Sequence, residues 1–478
     1  MFFNDEDTII APATPVGGAL CIIRVSGERA IEVCDAVFRG RRALRDVATA
    51  TVHYGDIVDG ADVVDDVLVS VFRAPHSYTG ENLVEISAHG SRYVVERILA
   101  LFTRQGVRMA YAGEFTRRAF VAGKMDLSQA EAVADIIAAE SRASHAVAST
   151  QMRGAYSEEL SLLRDKLLHI TSMLELELDF SEEDVEFADR AHLEDLLQQT
   201  YSRVEELADS FSLGNVLKEG VNVAIVGRPN VGKSTLLNRL VGEQRAMVSD
   251  IAGTTRDTIE VTCNIGGVVF RFIDTAGLHS TDDVLERMGI ERTSEALRRA
   301  HIILWLTDDD STTMNDDMQG YVPSVEQVVY KVVTKIDLQE NYDSVINNDN
   351  TDSVIYLSAK TGVGIDELRN VLQSRFDAQS AYRGDVVVSS QRHYEALRES
   401  AESLQAALSA FRTGLPTDLL SEDIRQVLYH LGTITGEITS EDVLQNIFSL
   451  FFIGKLSCKK CWTYIALRRS AQIFHCCG

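Results

Sequence analysis

Apolar residues are spaced in different ways along this chain, and the spacing divides it into segments of different structure. Before about residue 120, short apolar or alternating runs predict strands at Ala19–Val25, Val63–Phe72 and Leu83–Ser87. Helical spacing predicts helices at Ala30–Phe38 and Tyr93–Phe102. Two strand–helix–strand passages of this kind predict a small α+β domain whose helices lie on one side of a sheet.

The pattern becomes helical from Asp126 to about Phe180, a stretch without proline in which apolar residues lie three and four positions apart. Five of them form one stripe: Leu160, Leu163, Leu167, Ile170 and Leu174. Further helices are predicted at Leu193–Phe211, Gln391–Phe411, Asp418–Leu431 and Ser440–Leu450. Helical segments therefore lie on both sides of the middle of the chain.

Residues 217–378 separate these helical segments and alternate strands with helices, which is typical of a doubly wound parallel sheet. We therefore expect such a domain inserted between two parts of one helical domain, and two independent helical domains are the alternative. The expected boundaries are 1–121 for the N-terminal domain, 122–215 and 381–455 for the helical domain, 216–380 for the inserted domain and 456–478 for an atypical tail.

The inserted segment contains a phosphate-binding loop, Gly227–Ser234, which fits the pattern G-x-x-x-x-G-K-[ST]. The apolar run Val221–Val226 precedes it, and the helical pattern of Thr235–Leu240 follows. A strand thus delivers the loop to a helix N-terminus, where free N–H groups and the helix dipole favour an anion. We expect Lys233 to reach the terminal phosphates of a nucleotide and Ser234 to bind Mg²⁺. A chance match in a glycine-containing turn is the alternative.

Four further motifs identify the nucleotide. Ile273–Gly277 offers an Asp for Mg²⁺ and a glycine N–H for a γ-phosphate, and Gly253–Asp257 offers the hydroxyls of a switch loop. Thr334–Asp337 and Ser358–Lys360 each follow a predicted strand. The carboxylate of Asp337 can accept both N1–H and N2–H₂ of guanine, whereas it would repel N1 of adenine. The motifs together predict a guanine-nucleotide domain.

One position departs from the usual guanine motif Asn-Lys-x-Asp, because Thr334 replaces the Asn. A hydroxyl donates one hydrogen bond where an amide donates two, so we expect a weakened supporting contact and a modest affinity for GTP. From the motifs, the residues expected to bind GTP are Asn230, Val231, Gly232, Lys233, Ser234, Thr235, Asp274, Gly277, Thr334, Lys335, Asp337, Ser358, Ala359 and Lys360.

Composition narrows the functional class. The formal net charge of −25 over 478 residues opposes broad, unaided binding of nucleic acid, although a local basic patch or a basic partner remains open. No run of about 18 apolar residues predicts a membrane span, and the acidic start at Met1–Asp7 lacks the positive flank of a signal peptide. We therefore expect a cytoplasmic protein. The seven cysteines are spaced too unevenly for a disulfide framework.

Blocks outside the nucleotide motifs resemble those of the bacterial tRNA uridine-modifying GTPases, the MnmE (TrmE) family. These blocks are Asp7–Gly17, Ile22–Gly27, Ser77–Asn82, Ala88–Gly90, Gly113–Phe120, Gly123–Glu131 and Glu441–Ser449. The resemblance extends over residues 7–455 and implies an N-terminal domain that binds folate and forms a dimer. It also implies an all-helical domain interrupted by a P-loop GTPase domain.

The resemblance implies a function as well. It predicts a potassium-stimulated GTPase, a homodimer that uses GTP, Mg²⁺ and K⁺ and works with the flavoprotein MnmG in a heterotetramer or larger complex. Together they would add an aminomethyl or carboxymethylaminomethyl group to C5 of the tRNA wobble uridine. The one-carbon unit would come from 5,10-methylene- or 5-formyl-tetrahydrofolate.

Site residues carry over from the family one position at a time. The folate residues would be Arg24, Glu85, Lys124 and Lys455, although an ordinary surface ion pair is the alternative for the first three. The K⁺ ligands would be Asn230, Ser249, the backbone of Ile251 and Thr254, and the Mg²⁺ ligands would be Ser234 and Thr255. Ser249, Thr254 and Thr255 would therefore also line the GTP site. Glu286 matches the catalytic glutamate that orients the attacking water through a bridging water.

The C-terminal sequence departs from the family. Its members end in Phe-Cys-Ile-Gly-Lys, whereas Phe451–Lys455 of this chain has Phe452 at the Cys position, which puts any step that needs a thiolate in doubt. Residues 456–478 follow, among which Cys458, Cys461 and His475–Cys477 are possible metal ligands. A reading-frame change near the true terminus is the other explanation of this tail.

Two other functions remain open from the sequence. One is a GTP-switched assembly or binding protein without its own part in RNA chemistry. The other is a modification-dead product of a disrupted gene that still hydrolyses GTP, which Phe452 would allow. Folate binding discriminates the first, since an assembly switch needs no pocket made by Arg24, Glu85 and Lys124.

Overall fold

The structure is a computed structural model that describes residues 7–179, 190–242, 260–274, 296–310, 321–324, 327–338, 354–376, 379–414 and 417–449. The chain separates into two compact units, one of residues 1–134 with 435–478 and one of residues 135–434. Each unit contains one β-sheet within the described ranges.

Strands and helices are numbered along the chain. The strands are β1 Ile9–Pro12, β2 Leu20–Ser26, β3 Phe38–Gly40, β4 Thr51–Asp59, β5 Asp62–Phe72, β6 Leu83–His89, β7 Arg108–Met109, β8 Val221–Val226, β9 Glu260–Ile265, β10 Val268–Asp274, β11 Ile302–Thr307, β12 Val328–Val333 and β13 Val354–Tyr356. The helices are α1 Ala30–Asp35, α2 Arg92–Arg104, α3 Glu114–Val121, α4 Leu127–Ala138, α5 Arg142–Met152, α6 Ala155–Asp179, α7 Arg190–Asp209, α8 Phe211–Glu219, α9 Lys233–Gly242, α10 Ile365–Arg375, α11 Gln379–Arg383, α12 Gln391–Thr413, α13 Thr417–Thr435 and α14 Glu441–Ser449. None of these helices is both long and apolar enough to cross a membrane.

The sheet of the first unit has seven strands in the order β3-β4-β5-β6-β2-β1-β7, and only β1 and β7 pair in parallel. Alternation along the strands decides which face is covered. Ile23 and Val25 of β2 are buried in one hydrophobic core with Phe102 of α2. Arg24, between them, belongs to the opposite face, where it lies directly across from Glu85 of β6.

The strands predicted in this unit are confirmed, but the helix predicted at Ala30–Phe38 is too long. Helix α1 ends at Asp35, and Phe38 begins β3. The ring of Phe38 lies over Gly40 and Gly55, where an added Cβ would fall 2.3 and 2.7 Å from ring atoms. Two glycines thus make room for the aromatic ring of a short strand, a tertiary effect that helical spacing cannot show.

The sheet of the second unit has six strands in the order β13-β12-β11-β8-β10-β9. Every neighbouring pair is parallel except β10 and β9, so the predicted doubly wound parallel sheet is confirmed with one antiparallel edge strand. Val223 and Ile225 of β8 enter one hydrophobic cluster, whereas Ala224 enters another. Burial on both faces explains why β8 is apolar without a break from Val223 to Val226.

The helices before and after this sheet share a core. The predicted leucine stripe of α6, with Leu163 and Leu167 among its members, is buried against α7, and Leu404 of α12 and Leu431 of α13 belong to the same cluster. The fold class is therefore as predicted, a single helical domain interrupted by an insertion, and two independent helical domains are excluded. The individual domain boundaries stay predictions.

Candidate functional site

The phosphate-binding loop leaves β8 at Val226 and enters α9 at Lys233. Gly227 has a φ of +147°, and a Cβ there would lie 2.2 Å from the carbonyl oxygen of Leu306 in β11. Gly232 has a φ of +107°, and Asn230 has a φ of +63°. The loop therefore depends on glycine where it passes β11, and Asn230 is a residue type that tolerates its left-handed backbone.

Lys233 is buried inside this loop. Its Nζ donates hydrogen bonds to the carbonyl oxygens of Gly227 and Arg228, the second at 2.8 Å. Ser234 and Thr235 follow it on the first turn of α9 and are exposed. A cation, a helix N-terminus and exposed hydroxyls at one place make a suitable site for a phosphate with its metal ion.

The two motifs proposed to read the base meet through a short hydrogen bond. Ser358, which is fully buried, donates from its Oγ to Oδ1 of Asp337 at 2.6 Å. The backbone N–H of Thr361 donates to the same Ser358 Oγ at 3.2 Å. Asp337 is thus held from the loop after β13, and its carboxylate keeps further lone pairs for donors such as those of guanine.

Thr334 joins the base-reading loop to the phosphate-binding loop. Its hydroxyl, on a side chain that is 2% exposed, lies 2.7 Å from the carbonyl oxygen of Val231 and 3.3 Å from that of Thr307. A hydroxyl has one proton, so the shorter contact to Val231 is its hydrogen bond and the second acceptor receives none from it. Thr334 therefore supports the phosphate-binding loop. The modest affinity for GTP stays a prediction.

The remaining described residues of the nucleotide site lie around this junction. Lys335 has a φ of +57°, and its Nζ lies 3.0 Å from Oδ2 of Asp308. Ala359 is half-buried and Lys360 is exposed after β13. Asp274, the last residue of β10, pairs in register with Ile225 of β8, so its backbone lies at the sheet edge from which the phosphate-binding loop leaves.

Several predicted site residues lie outside the described residues. They are Ser249, Ile251, Thr254, Thr255, Gly277, Glu286 and Lys455, and Phe452 with the tail after it. Of the predicted K⁺ ligands, the structure describes Asn230, and of the predicted Mg²⁺ ligands it describes Ser234.

The first unit contains a second candidate site, centred on Arg24 and Glu85. Arg24 donates from Nε and Nη2 to Oε1 of Glu85 at 2.9 and 2.7 Å, and both side chains are about one-quarter exposed. The guanidinium lies 4.9 Å from the ring centroid of Tyr78 and 5.4 Å from that of Phe115. An ion pair with two aromatic rings beside it is chemically suited to a flat, polar heterocycle.

The loop that carries Tyr78 is held by side chains on both sides. The hydroxyls of Tyr78 and Thr116 lie 2.9 Å apart, and those of Ser26 and Thr79 lie 2.7 Å apart. Lys124 approaches the same loop, because a Cβ on Gly80 would lie 3.5 Å from its Cε. The structure thus brings Arg24 and Glu85 into contact and places Lys124 beside the Tyr78 loop.

A buried charge network supports this loop, and residue types alone do not predict it. Arg118, with a side chain 2% exposed, binds Asp7, Glu81 and Glu114, and Arg108 binds Asp7 and Glu114 as well. Burial raises the pKa of the Asp7 carboxyl, but the hydrogen bonds and charges of the two arginines outweigh burial and lower the pKa overall. Glu114 and Arg118 lie four residues apart on α3, which is the one signal the sequence offered.

Comparisons with known proteins agree with this architecture. Two family models match, one described as the GTP-binding protein TrmE N-terminus over residues 8–124 and one described as the MnmE helical domain over residues 127–451. The chain is 48% identical over 456 residues to the tRNA modification GTPase MnmE of Cytophaga hutchinsonii, which covers 95% of this chain and 98% of that protein. It is 46% identical over 468 residues to the same-named protein of Flavobacterium johnsoniae, covering 94% of this chain and all of the relative.

Proposed function

Because this chain belongs to the MnmE family of tRNA modification GTPases, we propose that it is potassium-stimulated and acts on the tRNA wobble uridine with the flavoprotein MnmG. Its role as a GTPase in tRNA modification follows from the family itself. The reaction would add a (carboxymethyl)aminomethyl group at C5 and draw its one-carbon unit from 5,10-methylene- or 5-formyl-tetrahydrofolate. One observation carries the proposal: the chain combines a guanine-nucleotide loop cluster with an Arg24–Glu85 pair set beside aromatic rings.

The residues of the nucleotide site would share the work on GTP. Lys233 would neutralise charge on the terminal phosphates, and Asp337, oriented by Ser358, would accept the two donors of guanine. Ser234, Thr255 and Asp274 are the proposed holders of Mg²⁺, which neutralises phosphate charge when bound. Glu286 would orient the attacking water.

The proposed potassium stimulation depends on Asn230, which is exposed on the phosphate-binding loop three residues before Lys233. With Ser249, the Ile251 carbonyl and Thr254, its amide oxygen would complete a set of hard oxygen ligands that suits K⁺. The test is GTP turnover measured in K⁺ and in Na⁺ at equal ionic strength, where equal rates would refute the activation. Asn230→Lys should remove the K⁺ dependence and leave GTP binding largely intact.

We further propose that the protein is a cytoplasmic homodimer whose two inserted domains approach each other when GTP binds. This approach would complete the K⁺ sites and couple hydrolysis to rearrangement of the folate and tRNA sites. Small-angle scattering with and without a non-hydrolysable GTP analogue, in K⁺ and in Na⁺, measures the compaction that the proposal requires.

The Arg24–Glu85 pair fits tetrahydrofolate by its chemistry. Glu85 can accept from the N–H groups of a pterin edge, and the Tyr78 and Phe115 rings, which the Arg24 guanidinium contacts, would add aromatic surface beside the pterin. Lys124, and Lys455 by resemblance, would meet the carboxylates of the folate tail. We expect Glu85→Gln to weaken binding of 5-formyl-tetrahydrofolate about tenfold or more in a calorimetric titration. Glu32→Gln, which removes an exposed ion pair with Arg29 in the same unit, is the matched control.

A GTP-switched assembly protein is the rival function, and Phe452 favours it because this side chain supplies no thiolate. If the purified chain hydrolyses GTP but does not bind tetrahydrofolate, the rival holds. If it binds folate but supports no wobble modification together with MnmG, whereas the Phe452→Cys variant does, then the chain is a modification-dead member of the family.

A further inference from the structure

The segment that leaves β11 is acidic, with Asp308, Asp309 and Asp310 in succession. Runs of this kind are usually solvated surface loops, and Asp308 and Asp310 are indeed about half exposed. The Asp308 carboxylate nevertheless contacts Lys335 inside a base-reading motif, and the Asp310 carboxylate contacts residues of the strands that lead into these motifs. The segment is therefore more than a solubilising loop.

Asp310 connects two strands. Its Oδ1 lies 2.8 Å from Nζ of Lys331 in β12, and its Oδ2 accepts a hydrogen bond from the hydroxyl of Tyr356 in β13 at 3.0 Å. Lys331 also donates to the backbone carbonyl of Asp310, and its Nζ lies 5.5 Å from the ring centroid of Trp305 in β11. One carboxylate thus ties β12 and β13 to the exit of β11.

Those two strands lead directly into the base-reading motifs. β12 ends at Val333, immediately before Thr334–Asp337, and β13 ends at Tyr356, two residues before Ser358. Val333 and Tyr356 are partners in the parallel register. The ends of these two paired strands therefore lead to Asp337 and Ser358, the two residues that the hydrogen bond joins.

The same exit segment also holds the base-reading loop itself. The backbone N–H of Thr334 donates to the carbonyl oxygen of Thr307 at 2.8 Å, and Lys335 pairs with Asp308. The Thr307 hydroxyl donates to the Asp309 carbonyl at 2.9 Å, and the Asp309 N–H donates back to that hydroxyl at 3.2 Å. The segment from Thr307 to Asp310 is thus itself held in a defined conformation.

We propose that Asp310 is a positioning residue for guanine recognition, acting through Lys331 and Tyr356 on the orientation of Asp337. Recognition of N1–H and N2–H₂ by one carboxylate needs both of its oxygens in the plane of the base, so a small rotation weakens the two bonds unequally. The inference rests on the proposed function, in which Asp337 recognises guanine.

The test compares the affinities for GDP and IDP, because inosine lacks the 2-amino group of guanine. In calorimetric titrations of the full chain, Asp310→Ala should weaken GDP binding about fivefold and IDP binding less, which lowers the GDP-to-IDP preference. The modest size is expected because half-exposed ion pairs are screened by solvent. Tyr356→Phe, which deletes one hydroxyl and keeps the ring, should lower the same preference in part.

Asp366→Ala is the matched control, since Asp366 pairs with Arg369 on the surface of α10 and is 92% exposed. If Asp310 has a purely structural role, Asp310→Ala should lower the thermal midpoint and weaken the binding of GDP and IDP equally. An unchanged GDP-to-IDP preference in both Asp310→Ala and Tyr356→Phe overturns the proposal. If Asp310→Ala does not fold, Tyr356→Phe alone decides. A wild-type chain that does not prefer GDP to IDP would instead refute base reading by Asp337.

Discussion

Thr334 shows how a single substitution in a motif is absorbed by its surroundings. Its hydroxyl bonds the carbonyl oxygen of Val231 across the interior of the domain, where the usual amide would supply two donors. Thr334 therefore joins the base-reading loop to the phosphate-binding loop through one hydrogen bond. The second acceptor nearby, the Thr307 carbonyl, is already bonded by the backbone N–H of Thr334.

We expect Thr334→Val to weaken GDP binding about tenfold, because the isosteric change leaves the buried Val231 carbonyl without its donor. Thr334→Ser retains the hydroxyl and should bind GDP as the wild type does. Fluorescence titration of a labelled GDP measures both variants. Equal affinities for the valine and serine variants would show that the hydrogen bond is irrelevant to binding.

We expect His301 to make the stability of the GTPase domain depend on pH. Its Nδ1 accepts the N–H of Asn222 at 3.0 Å at the start of β8, and burial lowers the pKa of the imidazole below its usual 6.5. Just below pH 6.5, His301 therefore binds a proton in the unfolded chain but not in the folded chain. The contribution of His301 to stability should therefore be fully present above pH 6.5 and be lost as the pH falls toward the lower folded pKa.

The corresponding prediction compares the wild type with His301→Asn, whose amide oxygen keeps an acceptor but does not titrate. Thermal unfolding at pH 7.5 and pH 5.5 should show a larger loss of stability for the wild type than for the variant. If the two proteins lose the same stability over this range, His301 is not the group responsible.

At the scale of elements, the β9–β10 hairpin links the GTPase sheet to the helices of the same unit. The carbonyl oxygen of Gly267 in its turn accepts the N–H of Ala143 in α5 at 3.0 Å. The hydroxyl of Tyr382 in α11 lies 3.4 Å from the Gly266 carbonyl, and Arg142 lies over the Tyr382 ring at 4.6 Å. The far end of β10 is Asp274, so one hairpin runs from the helices to the nucleotide motifs.

We expect Gly267→Ala to destabilise the chain by about 2 kcal/mol, since its φ is +86° and the new Cβ would lie 2.3 Å from the Tyr382 hydroxyl. Gly60→Ala is the control, because its φ is +66° and nothing lies within 4 Å of the new Cβ. Gly60→Ala should therefore cost only about 1 kcal/mol from backbone strain. Chemical denaturation measures both, and equal losses would mean that the packing against Tyr382 contributes nothing.

At the scale of the whole molecule, the two helical parts of the chain form a single core. The GTPase domain is inserted in the sequence between these two parts. Leu404 of α12 is fully buried with residues of α6 and α7, whereas Leu419 of α13 is 53% exposed. Folding of the helical domain therefore requires chain segments that lie on both sides of the insertion.

This arrangement predicts that Leu404→Ala lowers the free energy of unfolding by about 2–5 kcal/mol, through lost burial and the cavity left behind. Leu419→Ala removes the same atoms from an exposed position and should change stability far less. Urea denaturation followed by circular dichroism measures the difference. Comparable losses in the two variants would mean that the shared core is not stabilising.

The sequence alone determined features that depend on short stretches of chain. The strand β8 was predicted to the residue, because burial on both faces of the sheet favours a run of mostly apolar, β-branched residues. The buried stripe of α6 followed from helical spacing, and the order of the motifs identified a guanine-nucleotide domain. Helix α1 was predicted too long, because the ring of Phe38 packs on glycines that periodicity does not register.

Only the tertiary structure decided which distant side chains act together. Arg24 meets Glu85 through the register of two antiparallel strands, Thr334 meets Val231 through the parallel sheet, and Asp310 joins Lys331 to Tyr356. No local pattern encodes these pairs, because sheet register and packing set them. A one-residue shift of β2, for example, would turn Arg24 to the other face of the sheet. Residue spacing thus identified the loops that bind the nucleotide, and long-range packing decided how those loops support one another.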